Sequence, residues 1–146
     1  MAIWQYKLFI LPKEEVISYF ENQRTIGEDD FNEIEWWKYR QLTADNFNSL
    51  VAQLPQNISW SRDIILFGNT DSNCVELLYE NNIAVEVSGR IDLSYDYSQF
   101  VSLLCNIAQE NECIFLSSSL EILNPDITTI QNDIDEYTLF KDFIDK

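Results

Sequence analysis

Three strand-like runs stand almost end to end in the middle of this chain, and the turns between them restrict how they can pair. Trp60 to Phe67 closes on Ile64-Ile65-Leu66-Phe67, and Gly68-Asn69-Thr70-Asp71-Ser72-Asn73 follows as a cluster of turn formers. Cys74 to Tyr79 is the next run. After Glu80-Asn81-Asn82, the residues Ile83, Val85 and Val87 alternate with Ala84, Glu86 and Ser88, and the pattern resumes at Ile91 and Leu93. The Asn-Asn pair suits a two-residue type I′ hairpin, because asparagine tolerates the positive φ that this turn requires. Strands joined this tightly run antiparallel, since a parallel pair needs a crossover of a dozen residues or more. Gly89 is the expected place for a bulge.

Around this unit the periodicity changes repeatedly. Ile3 to Leu11 reads as an opening strand with apolar residues on both faces. Pro12 fits the first position of a helix that carries Glu14 and Glu15 in its first turn and ends near Arg24. Glu28 to Glu35 reads mostly as an acidic loop leading into Trp36 and Trp37. Thr43 is an N-cap for a helix whose stripe is Phe47, Leu50, Val51 and Leu54, closed by Pro55. Tyr97, Phe100, Val101, Leu104, Cys105 and Ala108 form the cleanest helical stripe, capped by Ser94 or Asp96. Glu112 to Ser117 is a further strand, and Asn124-Pro125-Asp126 starts a last helix whose Tyr137, Phe140, Phe143 and Ile144 pack back on the domain. The expected fold is α+β: a ferredoxin-like α/β sandwich with a mainly antiparallel sheet of about five strands, helices on one face and a C-terminal helix. One domain is expected over residues 1–146.

Charge then bears on partners. The chain has 25 Asp and Glu against 9 Lys and Arg, a formal net charge of −16 and no histidine. With 46% hydrophobic and 14% aromatic residues it is too apolar for an acidic disordered chain, so the carboxylates decorate a folded surface. Such a surface disfavours nucleic acid and anionic lipid. The apolar run Leu8–Leu11 is cut off at once by Pro12, Lys13, Glu14 and Glu15, which is not a secretory signal. No apolar stretch nears the ~20 residues that span a bilayer. A cytoplasmic protein is expected, its odd set of cysteines (Cys74, Cys105 and Cys113) serving as small buried hydrophobes.

Without histidine there is no Ser-His-Asp or Cys-His nucleophile and no ordinary zinc site. No phosphate-cradling glycine motif occurs, and the Asp126–Asp135 spacing is not an EF-hand. The expectation is therefore no catalytic residue, no metal and no cofactor. Carboxylates are what remains. Glu76, Glu86 and Asp92 lie on the strands and could pair as acid and base or hold a divalent cation; the simpler reading makes them the solvent side of a half-exposed sheet. The segment Glu28, Asp29, Asp30, Glu33, Glu35, Trp36 and Trp37 is the candidate partner-binding surface, with carboxylates to steer a basic protein and indoles to anchor it. Adjacent tryptophans point different ways in any regular element, so one core indole and one exposed indole are expected.

The opening Ile3-Trp4-Gln5-Tyr6-Lys7-Leu8-Phe9-Ile10-Leu11-Pro12-Lys13-Glu14-Glu15 resembles small acidic bacterial immunity proteins of polymorphic and contact-dependent toxin systems. Val87-Ser88-Gly89-Arg90-Ile91-Asp92-Leu93 and Tyr137-Thr138-Leu139-Phe140-Lys141-Asp142-Phe143 add to the likeness. The resemblance implies a cytoplasmic bacterial protein that binds and blocks a cognate toxin, often a nuclease with a basic cleft. That class is diverse in fold, so no site residue carries over. Two alternatives stay open from the residues: a small carboxylate- or metal-dependent hydrolase, and a regulatory or scaffold domain that dimerises through a sheet edge.

Overall fold

The computed structural model describes residues 4–144, with side chains as far as Leu139. Ile3, and the side chains of Phe140, Phe143 and Ile144, lie outside the described residues. The chain folds as α+β around a seven-stranded sheet in which every neighbouring pair is antiparallel. The strands are β1 (Gln5–Pro12), β2 (Gln56–Asn57), β3 (Ile64–Gly68), β4 (Cys74–Glu80), β5 (Ile83–Asp92), β6 (Cys113–Ser117) and β7 (Ile122–Leu123), in the spatial order β2-β3-β4-β5-β1-β6-β7. Two more strands are present than the expected five because β2 and β7, two residues each, extend the edges. The helices are α1 (Lys13–Phe20), α2 (Glu28–Glu33), a 3-10 helix (Ala44–Leu50), α3 (Ser98–Glu110) and α4 (Ile127–Ile144). Among the described residues no helix is long and apolar enough to cross a membrane.

The hairpin forms as its residues require: Asn81 and Asn82 have φ of 53° and 66°, the two positive values of a type I′ turn. The bulge lies elsewhere than expected. Gly89 pairs regularly with Leu8 and Val75, while the register between β4 and β5 slips where Leu78 faces Glu86 and Tyr79 faces Ala84, leaving Val85 as the extra residue. A bulge reverses the inward and outward phase. Val87 and Ala84 are consequently buried, whereas Ile83 and Val85, expected inside, are 39% and 41% exposed.

Helices cover both faces of the sheet, not one. Leu8 and Phe9 point to opposite sides of β1 by the alternation of a strand. On the Leu8 side, Gly89 lies across from Leu8, and a Cβ at Gly89 would stand 3.5 Å from Leu104 of α3. Tyr6 shares this side; its hydroxyl donates to Asp133 of α4 and its ring meets Tyr137 edge-on at 5.7 Å. The Phe47 ring of the 3-10 helix packs 5.8 Å from Phe67 there too. On the other side the Phe9 ring lies 4.8 Å from Phe31 of α2, and a chain of ring contacts continues through Trp36 to Phe20 of α1.

Local competition explains the remaining departures. Pro12 is extended (φ −69°, ψ 127°), so it closes β1 and stands one residue before the first helical position. α1 stops at Phe20 and not near Arg24, because residues 24–26 are drawn into pairing along β7: Ile122 N–H donates to the Arg24 carbonyl and Ile26 N–H to that of Leu120. Glu28–Glu33 is helix and not loop, with Glu28, Asp29 and Asp30 in its first turn where the dipole favours anions. Thr43 does open the next helix, its N–H donating to Asn46 Oδ1 at 2.8 Å. That helix is 3-10, however, so Phe47 and Leu50 face inward while Val51 turns out. Trp60 is not in a strand; Ser59 and Ser61 hydroxyls accept from Ser61 N–H and Asp63 N–H and hold residues 59–63 as turns. α4 is capped by Asp126, whose carboxylate accepts from Thr129 N–H and Oγ1 at 2.8 Å each, in place of Asn124.

Cys74, Cys105 and Cys113 are free thiols and buried, and burial pushes each up to about 11. At pH 8 the native protein is expected to react with no more than a trace of a thiol-specific disulfide reagent, and to release three equivalents once unfolded in denaturant. Rapid native labelling of any one of them would contradict this packing.

Candidate protein-interaction groove

The bulge at Val85 and the short helix α2 face each other across a groove of about 520 Å³. One wall is residues 31–37, the other is the β4–β5 hairpin from Glu80 to Val87, and Phe9 and Leu11 of β1 lie between them. Its apolar lining includes Phe9, Leu11, Phe31, Ile34, Ile83 and Val85. Glu33, Glu35, Glu80 and Glu86 line it as well, and no lysine or arginine does. Lys7 approaches from the sheet with Nζ 4.7 Å from the centre of the Phe9 ring.

The walls are fixed by a few polar contacts. Arg40 clamps the tryptophan segment: its Nε donates to Glu14 Oε1 at 2.8 Å, Nη1 to the Asn111 carbonyl at 2.5 Å and Nη2 to the Glu112 carbonyl at 2.8 Å. Its guanidinium also lies 5.4 Å from the Trp37 ring centre, a cation–π contact. Gln41 bridges the walls, donating to the Trp37 carbonyl at 2.8 Å and accepting from Ala84 N–H at 3.3 Å. Tyr79 Oη donates to the Leu42 carbonyl at 2.6 Å. Burial raises the Tyr79 phenol above its ordinary value, so this donor keeps its proton across the physiological range.

The candidate segment divides in the structure. Glu33, Glu35, Trp36 and Trp37 line the groove; Glu28, Asp29 and Asp30 do not. Asp30 instead joins Glu33, Glu35, Lys38 and Tyr39 around a smaller depression of about 280 Å³. Both indoles are buried, at 4% and 1% exposure, which corrects the expectation that one would stand free as an anchor. Trp36 fills the space between Phe20 and Phe31 and donates Nε1–H to the Phe31 carbonyl at 3.2 Å. Trp37 Nε1–H is buried with no acceptor among the described residues. The exposed apolar area comes from Ile83 and Val85, which the strand alternation had placed inside.

No family model, curated protein or solved structure matches this chain.

The three strand carboxylates are held apart by different tasks. Glu76 pairs with Arg90 at 3.4 Å. Asp92, expected to face solvent, is 3% exposed and accepts from Ser72 Oγ at 3.1 Å, from Ser94 N–H at 2.9 Å and from the Ser94 hydroxyl. Desolvation works upward on its pKa, but the bonds from Ser94 and Ser72 outweigh it and hold the carboxyl below its ordinary value. Glu86 alone belongs to the groove. Among the described residues no cluster of three or more Cys, Asp or Glu side chains is placed to hold a metal ion.

Proposed function

We propose that this protein is a non-catalytic binding protein of the immunity or inhibitor type, which in the cytoplasm neutralises a cognate basic, nuclease-like bacterial toxin. The observation that carries the reading is the groove between α2 and the β4–β5 hairpin, where apolar side chains stand among four carboxylates with no cation among the lining residues. Apolar and charged side chains on one surface suit a protein interface: the apolar groups supply burial, and the charges supply steering and register. A cleft built to hold phosphates is complementary to such carboxylates. The strand carboxylates support the non-catalytic part, since Glu76 and Asp92 are committed to Arg90 and to the serines of two turns. For the scaffold we infer a single ferredoxin-like domain. The run β6-β1-β5-β4, with α3 joining β5 to β6 across β1, supports that topology, enlarged by β2 and β3 on one side and β7 on the other.

The test is titration against the basic domains encoded beside this chain, by calorimetry at about 0.15 M salt, where surface charges are screened beyond ~8 Å. Binding tighter than about 1 µM is expected, weakening as salt rises. Glu33→Lys and Glu86→Lys, one on each wall, are each expected to weaken it by roughly tenfold or more, mostly through slower association. No binding partner below about 1 µM among those products, or full affinity in the double reversal, would sink the reading.

A further inference from the structure

The two edges of the sheet are treated differently. At β7 the outer edge is sealed by residues 24–26, through Ile122 N–H to Arg24, Ile26 N–H to Leu120 and the bridge between Thr25 and Glu121. At β2, among the described residues, no backbone segment pairs on the outer side, and Gln56 and Asn57 are exposed. The chain leaving this open edge carries Ile58 at 98% and Trp60 at 83% exposure, the two most exposed large apolar residues described. Val51, at the end of the 3-10 helix, is exposed as well.

Charge selects what can cover this surface. The molecule bears −16, yet no carboxylate stands between Asp45 and Asp63, and Arg62 is the only ionisable side chain in that interval. A basic partner is drawn to the acidic faces and has nothing to pair with here. Another copy of this chain meets strong repulsion wherever carboxylates face carboxylates, and escapes it at this interval. An antiparallel edge is also self-complementary about a two-fold axis, so two copies of β2 can pair without any new strand direction entering the sheet. We propose that the β2 edge with Ile58 and Trp60 is the dimer interface of this protein, with a second copy of the chain as its occupant. Two residues of edge are too short to hold a dimer, so the indole and the isoleucine supply the burial while the edge sets the register.

Sedimentation equilibrium and light scattering of the full chain, from about 1 to 500 µM, test this by mass action. The expected result is a rise from the 17.2 kDa monomer to twice that mass, with a blue shift of tryptophan emission as Trp60 leaves water. Trp60→Asp and Ile58→Asp place a carboxylate at each two-fold-related contact and are expected to raise the dissociation constant at least 30-fold. Both side chains lie in solvent in the monomer, so the variants keep the parent's circular dichroism. Glu33→Lys, in the groove, leaves the dimer intact, which separates this interface from the proposed toxin surface. A mass of 17.2 kDa throughout, or a Trp60→Asp variant that dimerises like the parent, overturns the proposal. So does a monomer that uses Trp60 to float with neutral lipid vesicles.

Discussion

Trp37→Ala is expected to lower the unfolding free energy by about 3–5 kcal/mol, the range for removing a large buried aromatic, against a total of about 5–15 kcal/mol for a domain of this kind. Trp37 is 1% exposed and stands where three parts of the fold meet. Its ring lies under the Arg40 guanidinium, which holds Glu14 and the carbonyls that follow α3; its carbonyl accepts from Gln41, which in turn accepts from Ala84 of β5. The void would be bounded by groups pinned through hydrogen bonds, so it collapses poorly, and the cost belongs in the upper part of that range. Trp37→Phe separates packing from polarity. It removes an N–H that is buried without an acceptor, a defect worth about 1–3 kcal/mol, and this offsets much of the lost ring volume. The phenylalanine variant is expected to fall within about 1.5 kcal/mol of the parent. Urea unfolding followed by far-ultraviolet circular dichroism reads both, with unchanged slopes. A cost below about 1 kcal/mol for Trp37→Ala would contradict its place in the core.

The bulge that makes the groove was legible in the residues, and simple alternation concealed it. A two-residue turn at Asn81 and Asn82 pairs Glu80 with Ile83; counted onward without interruption, it sets Leu77 opposite Glu86 and Glu76 opposite Val87. Cross-strand partners share a face, so that register sets Leu77 and Val87 on opposite faces and pairs each with a glutamate. One extra residue resolves the conflict, and the structure inserts it at Val85, pairing Leu77 with Val87 and Glu76 with Ser88. Reading β5 by itself put Ile83 and Val85 inside; reading it against β4 turns them outward. Gly89, the expected bulge, pairs regularly instead, and a Cβ there would meet Leu104 of α3 in ordinary contact at 3.5 Å.

Other parts of the site had no comparable signal. The strand cores, the α3 stripe and the Asn-Asn turn follow from periodicity and φ preference, which are local. The burial of both Trp36 and Trp37 depends on α1, α2 and the ends of α3 closing around them, a long-range arrangement that two adjacent letters do not encode. Four-residue spacing in Phe47, Leu50, Val51 and Leu54 matched an α-helix, yet the segment tightened to 3-10 and left Val51 outside. Trp60 read as a strand residue because it is aromatic and precedes an apolar run. Serine hydroxyls at 59 and 61 offered the backbone another set of bonds, and the indole was left in solvent. The −16 charge pointed to an interaction surface; in the fold four of its carboxylates, Glu33, Glu35, Glu80 and Glu86, line one groove, and the chain between Asp45 and Asp63 carries none.

Gly68→Ala is the second large expected effect, a loss of more than about 3 kcal/mol from a single added methyl group. Gly68 ends β3 with φ at +83°, a conformation that strains any residue with a Cβ. The methyl group would stand 2.3 Å from the Asn73 carbonyl oxygen, a backbone atom with no flexible end to give way, and 3.1 Å from Leu54 Cδ2. The turn it opens also ties distant strands together. Thr70 and Ser72 carbonyls each accept from Gln5 Nε2 at 2.9 Å, and Asn73 Oδ1 accepts from Asp92 N–H at 2.7 Å, so displacing residues 69–73 loosens β1 and β5 as well as β3 and β4. Gly89→Ala is the control: its Cβ would sit at 3.5 Å from Leu104 Cδ1, ordinary contact, and the expected cost is within about 1 kcal/mol. If urea midpoints rank the two variants the other way, the strain is not at the turn, and Gly89 is the position where backbone and core approach too closely for a side chain.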